Sequence, residues 1–186
     1  PAALMDIHFV HEAMQAPLIS GFLAKLLDEE IIPIVPPVAG TKLHAYKALI
    51  ERRFANPKIG DTIRRLCLDG SNRQPKFILP SVADGMHAGL GIDGLALVCA
   101  FWCRYCYGET DSGALIAPND PDWTRLNARA IEARADPAAW LGMRDIYGEL
   151  GDNTRFAAAF ARALERIWRD GARSTLAGYL AQPAGA

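Results

Sequence analysis

Apolar positions recur at spacings of three and four along most of the chain. Leu18, Ile19, Phe22, Leu23, Leu26 and Leu27 form one such stripe, which is the mark of a helix face turned toward a core. Pro33, Pro36 and Pro37 end it, because proline lacks the N–H and disfavours helical geometry in the residue before it. Leu43, Tyr46, Leu49, Ile50 and Phe54 make a second stripe. Phe156, Phe160, Ala163, Leu164, Ile167 and Trp168 make a third, followed by Gly171, which suits a left-handed cap. Asn56-Pro57, Asp120-Pro121 and Asp136-Pro137 each put a capping side chain before a proline, a helix-start signal used three times. Strand signals are weak: Val35-Pro36-Pro37-Val38 is too rich in proline for a central strand, and Phe77-Ile78-Leu79 is too short to assign. Gly108 to Pro121, with Gly, Pro, Asn and Asp throughout, predicts the longest loop. The pattern predicts an all-α domain with little or no sheet.

At 186 residues with 51% hydrophobic residues, the chain can bury one substantial core, and residues 1–186 are read as one domain. Lys plus Arg number 20 and Asp plus Glu 21, for a net charge of −1. That balance lacks the basic footprint of a nucleic-acid binder and gives no pull toward an anionic membrane. The best apolar run, Ile92 to Tyr107, is broken by Asp93 and Arg104 and falls short of the about 20 residues a membrane span needs. Four clustered cysteines do not make a secreted disulfide scaffold, so a reduced, cytoplasmic setting is expected. The start at Pro1 rather than Met is read as that of a chain cut from something longer.

Three motifs have structural readings that outweigh chemical ones. Gly89-Leu90-Gly91-Ile92-Asp93-Gly94 matches G-x-G-x-x-G, but a dinucleotide site needs a buried strand before it, and Ser81 to Ala88 is no strand. A helix-to-helix link is expected. Cys99, Cys103 and Cys106 have C-x3-C-x2-C spacing, known from iron–sulfur enzymes, yet they sit in an apolar helical run on one face, where buried thiols commonly pack. Cys67 stands alone. His8 and His11 lie three apart without a third ligand at a recognisable spacing. No metal is expected. A serine-nucleophile elbow and a phosphate-binding P-loop are both missing.

The informative stretch is Asp61 to Pro80, DTIRRLCLDGSNRQPKFILP. A helix is expected to end near Cys67 or Leu68, with a turn at Asp69-Gly70-Ser71-Asn72. Arg64 and Arg65 precede that turn; Arg73 and Lys76 follow it. Four cations around one turn fit either a solvated helix end or a cluster facing a polyhydroxylated or anionic ligand.

Asn56-Pro57, Asp61-Thr62, Arg65-Leu66-Cys67, Asp69-Gly70-Ser71 and Pro75-Lys76-Phe77 together resemble the C-terminal domain of the long-chain polyol dehydrogenases, the mannitol dehydrogenase family. The likeness continues through Phe101 to Gly108, Asp111-Ser112-Gly113, Pro118 to Pro121 and Asp145 to Gly148. It implies a helical substrate domain of the 6-phosphogluconate-dehydrogenase C-terminal type, partnered by an N-terminal nucleotide-binding Rossmann domain that holds NAD. It also implies zinc-independent interconversion of a sugar alcohol such as D-mannitol with a ketose such as D-fructose. The family's lysine general base belongs to a Lys-x4-Asn-x2-His motif, and no lysine of this chain has Asn five residues on. No catalytic residue is therefore expected here, and the chain alone is expected to be inactive. Two substrate-binding residues carry over. Arg65 matches the arginine that reaches substrate hydroxyls, and Arg73 stands where relatives often have lysine. The competing role for Arg65 is an ion pair with Asp61 one turn earlier. The competing reading of the whole chain is a stand-alone helical binding module derived from such an enzyme.

Overall fold

The protein is described by a computed structural model covering residues 1–183. Its helices in chain order are α1 Val10–Gln15, α2 Pro17–Leu26, α3 Leu43–Phe54, α4 Ile63–Leu66, α5 Gly70–Arg73, α6 Leu79–His87, α7 Asp93–Cys106, α8 Trp123–Ala133, α9 Ala138–Leu141, α10 Arg144–Tyr147 and α11 Thr154–Leu180. Among the described residues there is no strand, only the isolated bridges Phe9–Thr62 and Glu109–Leu115. The expected all-α class is what the chain adopts.

The centre is α7. Twelve of its fourteen residues are buried, so this is the helix whose apolar run has no polar face. Burial on all sides needs neighbours on all sides, and α11, α8, α2 and α6 supply them. The stripe Phe156, Phe160, Leu164 and Ile167 of α11 is buried and forms the most extensive of these contacts. Trp140 from α9 is fully buried, meets Trp102 edge-on at 4.9 Å and donates from Nε1 to the Tyr147 hydroxyl at 2.6 Å. That bond removes the cost of burying the indole N–H.

Helix ends follow local chemistry, with departures from the sequence reading at Gly171 and at Phe77-Ile78-Leu79. Asn56 accepts from Lys58 N at 3.0 Å, Asp136 from Ala138 N at 3.0 Å and Asp120 from Asp122 N at 3.0 Å, as capping residues do. The Asp120 carboxylate also accepts from Ser71 N at 2.8 Å and Ser71 Oγ at 2.7 Å, and so caps α5 from 49 residues away. The long loop before it is thereby tied to the α4–α5 corner. Gly171 does interrupt its helix with a positive φ of 75°, but its ψ of 172° is not that of a left-handed cap; a second helical stretch of α11 starts directly after it, where Asp111 Oδ2 accepts from Ala172 N at 2.6 Å. Phe77-Ile78-Leu79, left unassigned by pattern, is helical: a wide π turn over Gln74–Ile78 joins α5 to α6.

The second predicted stripe, on α3, is a helix without a core. None of its residues is buried. It is held by Lys47, whose Nζ donates to Asp28 Oδ2 at 2.6 Å and to the Ala24 carbonyl at 3.3 Å.

Candidate substrate-facing site

The segment Asp61–Ile78 folds as a corner. Thr62 caps α4 by accepting from Arg65 N at 3.2 Å. Asp69 takes the left-handed conformation, φ 60°, between α4 and α5. The turn thus lies earlier than expected, at Cys67-Leu68-Asp69, and Gly70-Ser71-Asn72 already belongs to the next helix. Gly70 is required by close approach, since a Cβ there would lie 2.4 Å from Trp102 Nε1. The corner is seated directly on the central helix α7.

Arg65 projects from the end of α4 with its side chain 66% exposed. Asp61, one turn earlier and only 14% exposed, grips it: Oδ1 accepts from Nε at 2.5 Å and Oδ2 accepts from Nη2. The pairing holds the Asp61 carboxyl below its usual range and raises the arginine further. The alternative ion pair foreseen for Arg65 is therefore formed, and its outward N–H groups remain exposed. Arg64 faces elsewhere and donates to the carbonyls of Ala117 and Pro118 at 2.7 and 2.8 Å. Arg73 is exposed on α5 and forms no ion pair among the described residues. It borders an apolar cavity of about 320 Å³ whose walls include Pro1, Leu66, Leu68, Phe77 and Trp102. The four cations noted in the sequence thus divide: one is paired with a carboxylate, one is bound to carbonyls, and Arg73 and Lys76 face solvent.

The other candidate motifs are structural. Gly89–Gly94 joins α6 to α7, as expected. The α7 N-terminus, where a pyrophosphate would sit in a dinucleotide fold, is filled from within. Buried Glu30 accepts from Gly94 N at 2.6 Å and Leu95 N at 2.8 Å, and Tyr179 Oη donates to it at 3.3 Å. Burial outweighs those bonds and raises the Glu30 carboxyl above its ordinary value. Sequence reasoning missed Glu30, because the amides it caps lie more than 60 residues away. These residues do not fit a bound dinucleotide. Cys99, Cys103 and Cys106 are buried in α7, where desolvation pushes Cys99 to about 12 and the other two well above the usual thiol value. His8 and His11 flank Phe9, edge-on at 4.5 Å and stacked at 5.3 Å. Among the described residues, no three His, Cys, Asp or Glu side chains are placed to share a metal. No described helix is long and apolar enough to cross a membrane.

The corner thus presents two exposed guanidinium groups, that of Arg65 held by Asp61 and that of Arg73 bordering the apolar hollow. The relatives define the class of the chain. Residues 1–168 match the model of the mannitol dehydrogenase C-terminal domain, and the chain belongs to that family. Mannitol 2-dehydrogenase of Cereibacter sphaeroides is 58% identical over 181 residues, which are 97% of this chain and 38% of that protein. The Aspergillus oryzae enzyme of the same name is 36% identical over 182 residues, 97% of this chain and 36% of that one. Among solved structures, Pseudomonas fluorescens mannitol 2-dehydrogenase in a ternary complex with NAD and D-mannitol superposes with a TM-score of 0.93 at 29% identity, over 98% of this chain and 37% of its own. A substrate-free D-sorbitol dehydrogenase, 19% identical with a TM-score of 0.84 over 95% of this chain, shares the fold. The chain spans well under half the length of the relatives it matches.

Proposed function

We propose that this chain is the substrate-binding domain of an NAD-dependent oxidoreductase that interconverts a sugar alcohol such as D-mannitol and a ketose such as D-fructose. The observation that carries the proposal is the superposition, along nearly the whole chain, on an enzyme that holds both NAD and D-mannitol. In this reading Arg65 and Arg73 are the sugar-facing donors, offering N–H groups to hydroxyl oxygens. The front of the domain, including the exposed apolar side chains Leu66, Leu68 and Phe77, meets the nucleotide-binding part that the relatives possess upstream. When bound, NAD supplies or accepts the hydride. The upstream part holds it, because the glycine-rich link of this chain is closed by Glu30. A lysine general base in Lys-x4-Asn-x2-His spacing is missing from this sequence, so the domain binds and orients substrate without removing its proton.

The test uses a joined protein in which this chain follows the upstream residues of the C. sphaeroides relative. The wild-type joined protein is expected to reduce D-fructose with NADH. Arg65→Ala should lower kcat/KM for D-fructose about tenfold to a hundredfold, the cost of losing a charged donor to a substrate hydroxyl, while leaving NADH affinity nearly unchanged. An unchanged kcat/KM removes Arg65 from the site.

A further inference from the structure

We infer that Asp61 is a specificity-determining residue: by occupying the Nε–Nη2 edge of Arg65 it turns a cation into a neutral donor pair that accepts uncharged polyols and turns away anionic sugars. The inference rests on the reading of Arg65 as substrate-facing.

The geometry of the pair is the starting point. A guanidinium carries five N–H groups, and its Nε–Nη2 edge is one of the forks that match a carboxylate or phosphate two to two. Asp61 fills that fork with both of its oxygens. Three N–H groups of Arg65 remain, two of them on the Nη1–Nη2 edge. An anion meeting them also meets the charge of the Asp61 carboxylate on the same guanidinium, and one seeking the Nε–Nη2 fork must displace Asp61; a neutral hydroxyl does neither.

Asp61 is also hard to displace. Its carbonyl accepts from Val10 N at 3.0 Å, and its own Oδ1 accepts from Thr62 N at 2.9 Å. Ile63 N donates to the His8 carbonyl at 2.9 Å on the other side of the Phe9–Thr62 bridge. The backbone of Asp61 is therefore fixed by a short cross-link and its carboxylate by one amide, while its arginine partner is mostly exposed. Exposed pairs of this kind add little to stability, so stability alone gives no reason for so well-anchored a carboxylate. The downward shift of Asp61 and upward shift of Arg65 keep the pair ionised at neutral pH. Arg73 provides the contrast: it lacks such a partner among the described residues and keeps its charge, so Asp61 compensates one cation of the corner and sets how anions fare at Arg65 in particular.

The joined protein tests this with D-fructose and, as anionic ketoses, D-fructuronate and D-fructose 6-phosphate. Asp61→Asn keeps the side-chain shape and removes the charge; Asp61→Glu keeps the charge. The ratio of kcat/KM for anionic over neutral ketose is expected to rise about tenfold in Asp61→Asn, the size of one uncompensated charge at a solvated site. In Asp61→Glu it should stay near wild type. Both variants should melt close to wild type. A ratio that does not move in Asp61→Asn, whether both efficiencies fall together or neither does, overturns the inference. So does a ratio that moves equally in Asp61→Glu, or an Asp61→Asn protein that fails to fold while Asp61→Glu folds. A wild-type joined protein that reduces none of the three ketoses overturns the substrate-domain reading itself, and this inference with it.

Discussion

The α7–α11 pair and the segment Val38–Phe77 use similar side chains to opposite ends. In the pair, Phe156, Phe160, Leu164, Leu95 and Leu97 are all but inaccessible. In the segment, Val38, Tyr46, Leu49, Phe54, Ile59, Leu66, Leu68 and Phe77 are exposed, and among the other described residues only two large apolar side chains, Leu115 and Ile131, are exposed as well. Arg65 and Arg73 lie within the same segment. Exposed apolar side chains in such number are unusual for a surface left to water, and in the reading proposed above this segment carries the contact with the upstream part.

Mutations separate the two regions by size of effect. Phe160→Ala removes a fully buried ring between α11 and α7 and should cost about 3–5 kcal/mol of unfolding free energy in denaturant titration. A loss under 1 kcal/mol would mean that the core is not where it is placed here. Gly70→Ala tests the seam between the regions. Its Cβ would collide with the Trp102 ring, and overpacking of that kind should cost about 1–3 kcal/mol.

Glu30 gives a pH signature inside the core. Its folded pKa is raised above the unfolded value, so its contribution is full below the unfolded pKa and lost as pH rises through the folded one. The unfolding free energy of wild type minus that of Glu30→Gln should therefore fall as pH rises above the ordinary carboxylate value of 4.5. A difference that grows with pH would show that the amide bonds outweigh burial. At the small end, Leu49→Ala on α3 should change the stability of the isolated domain by less than about 0.5 kcal/mol. A large loss would mean that α3 is packed rather than open.

The fold was legible where chemistry is local. The α2 and α11 stripes, the Asn56 and Asp136 caps and the helical setting of Cys99, Cys103 and Cys106 depend on spacings of a few residues. The stripe of α3 was legible as a helix but not as an open face, because periodicity reports an apolar side and says nothing of what covers it. The bond from Ser71 to Asp120 and the role of Glu30 escaped the sequence because each serves a helix start distant in the chain. The restart of the helix after Gly171 escaped for the same reason: Asp111 lies 61 residues from the amide whose hydrogen bond it accepts. At the candidate site, residue identities were readable and their division of labour was not. The sequence placed four cations around one turn and offered Asp61 as a partner for Arg65, four residues on; only the fold shows carbonyls holding Arg64 and Arg73 beside the hollow.

The central claim is that this domain binds sugar while the reacting groups stand upstream. The direct measurement is NADH oxidation with D-fructose by the isolated chain and by the joined protein, side by side at equal concentration. The account predicts no turnover above background from the chain and sustained turnover from the joined protein. Substantial turnover by the isolated chain would contradict it.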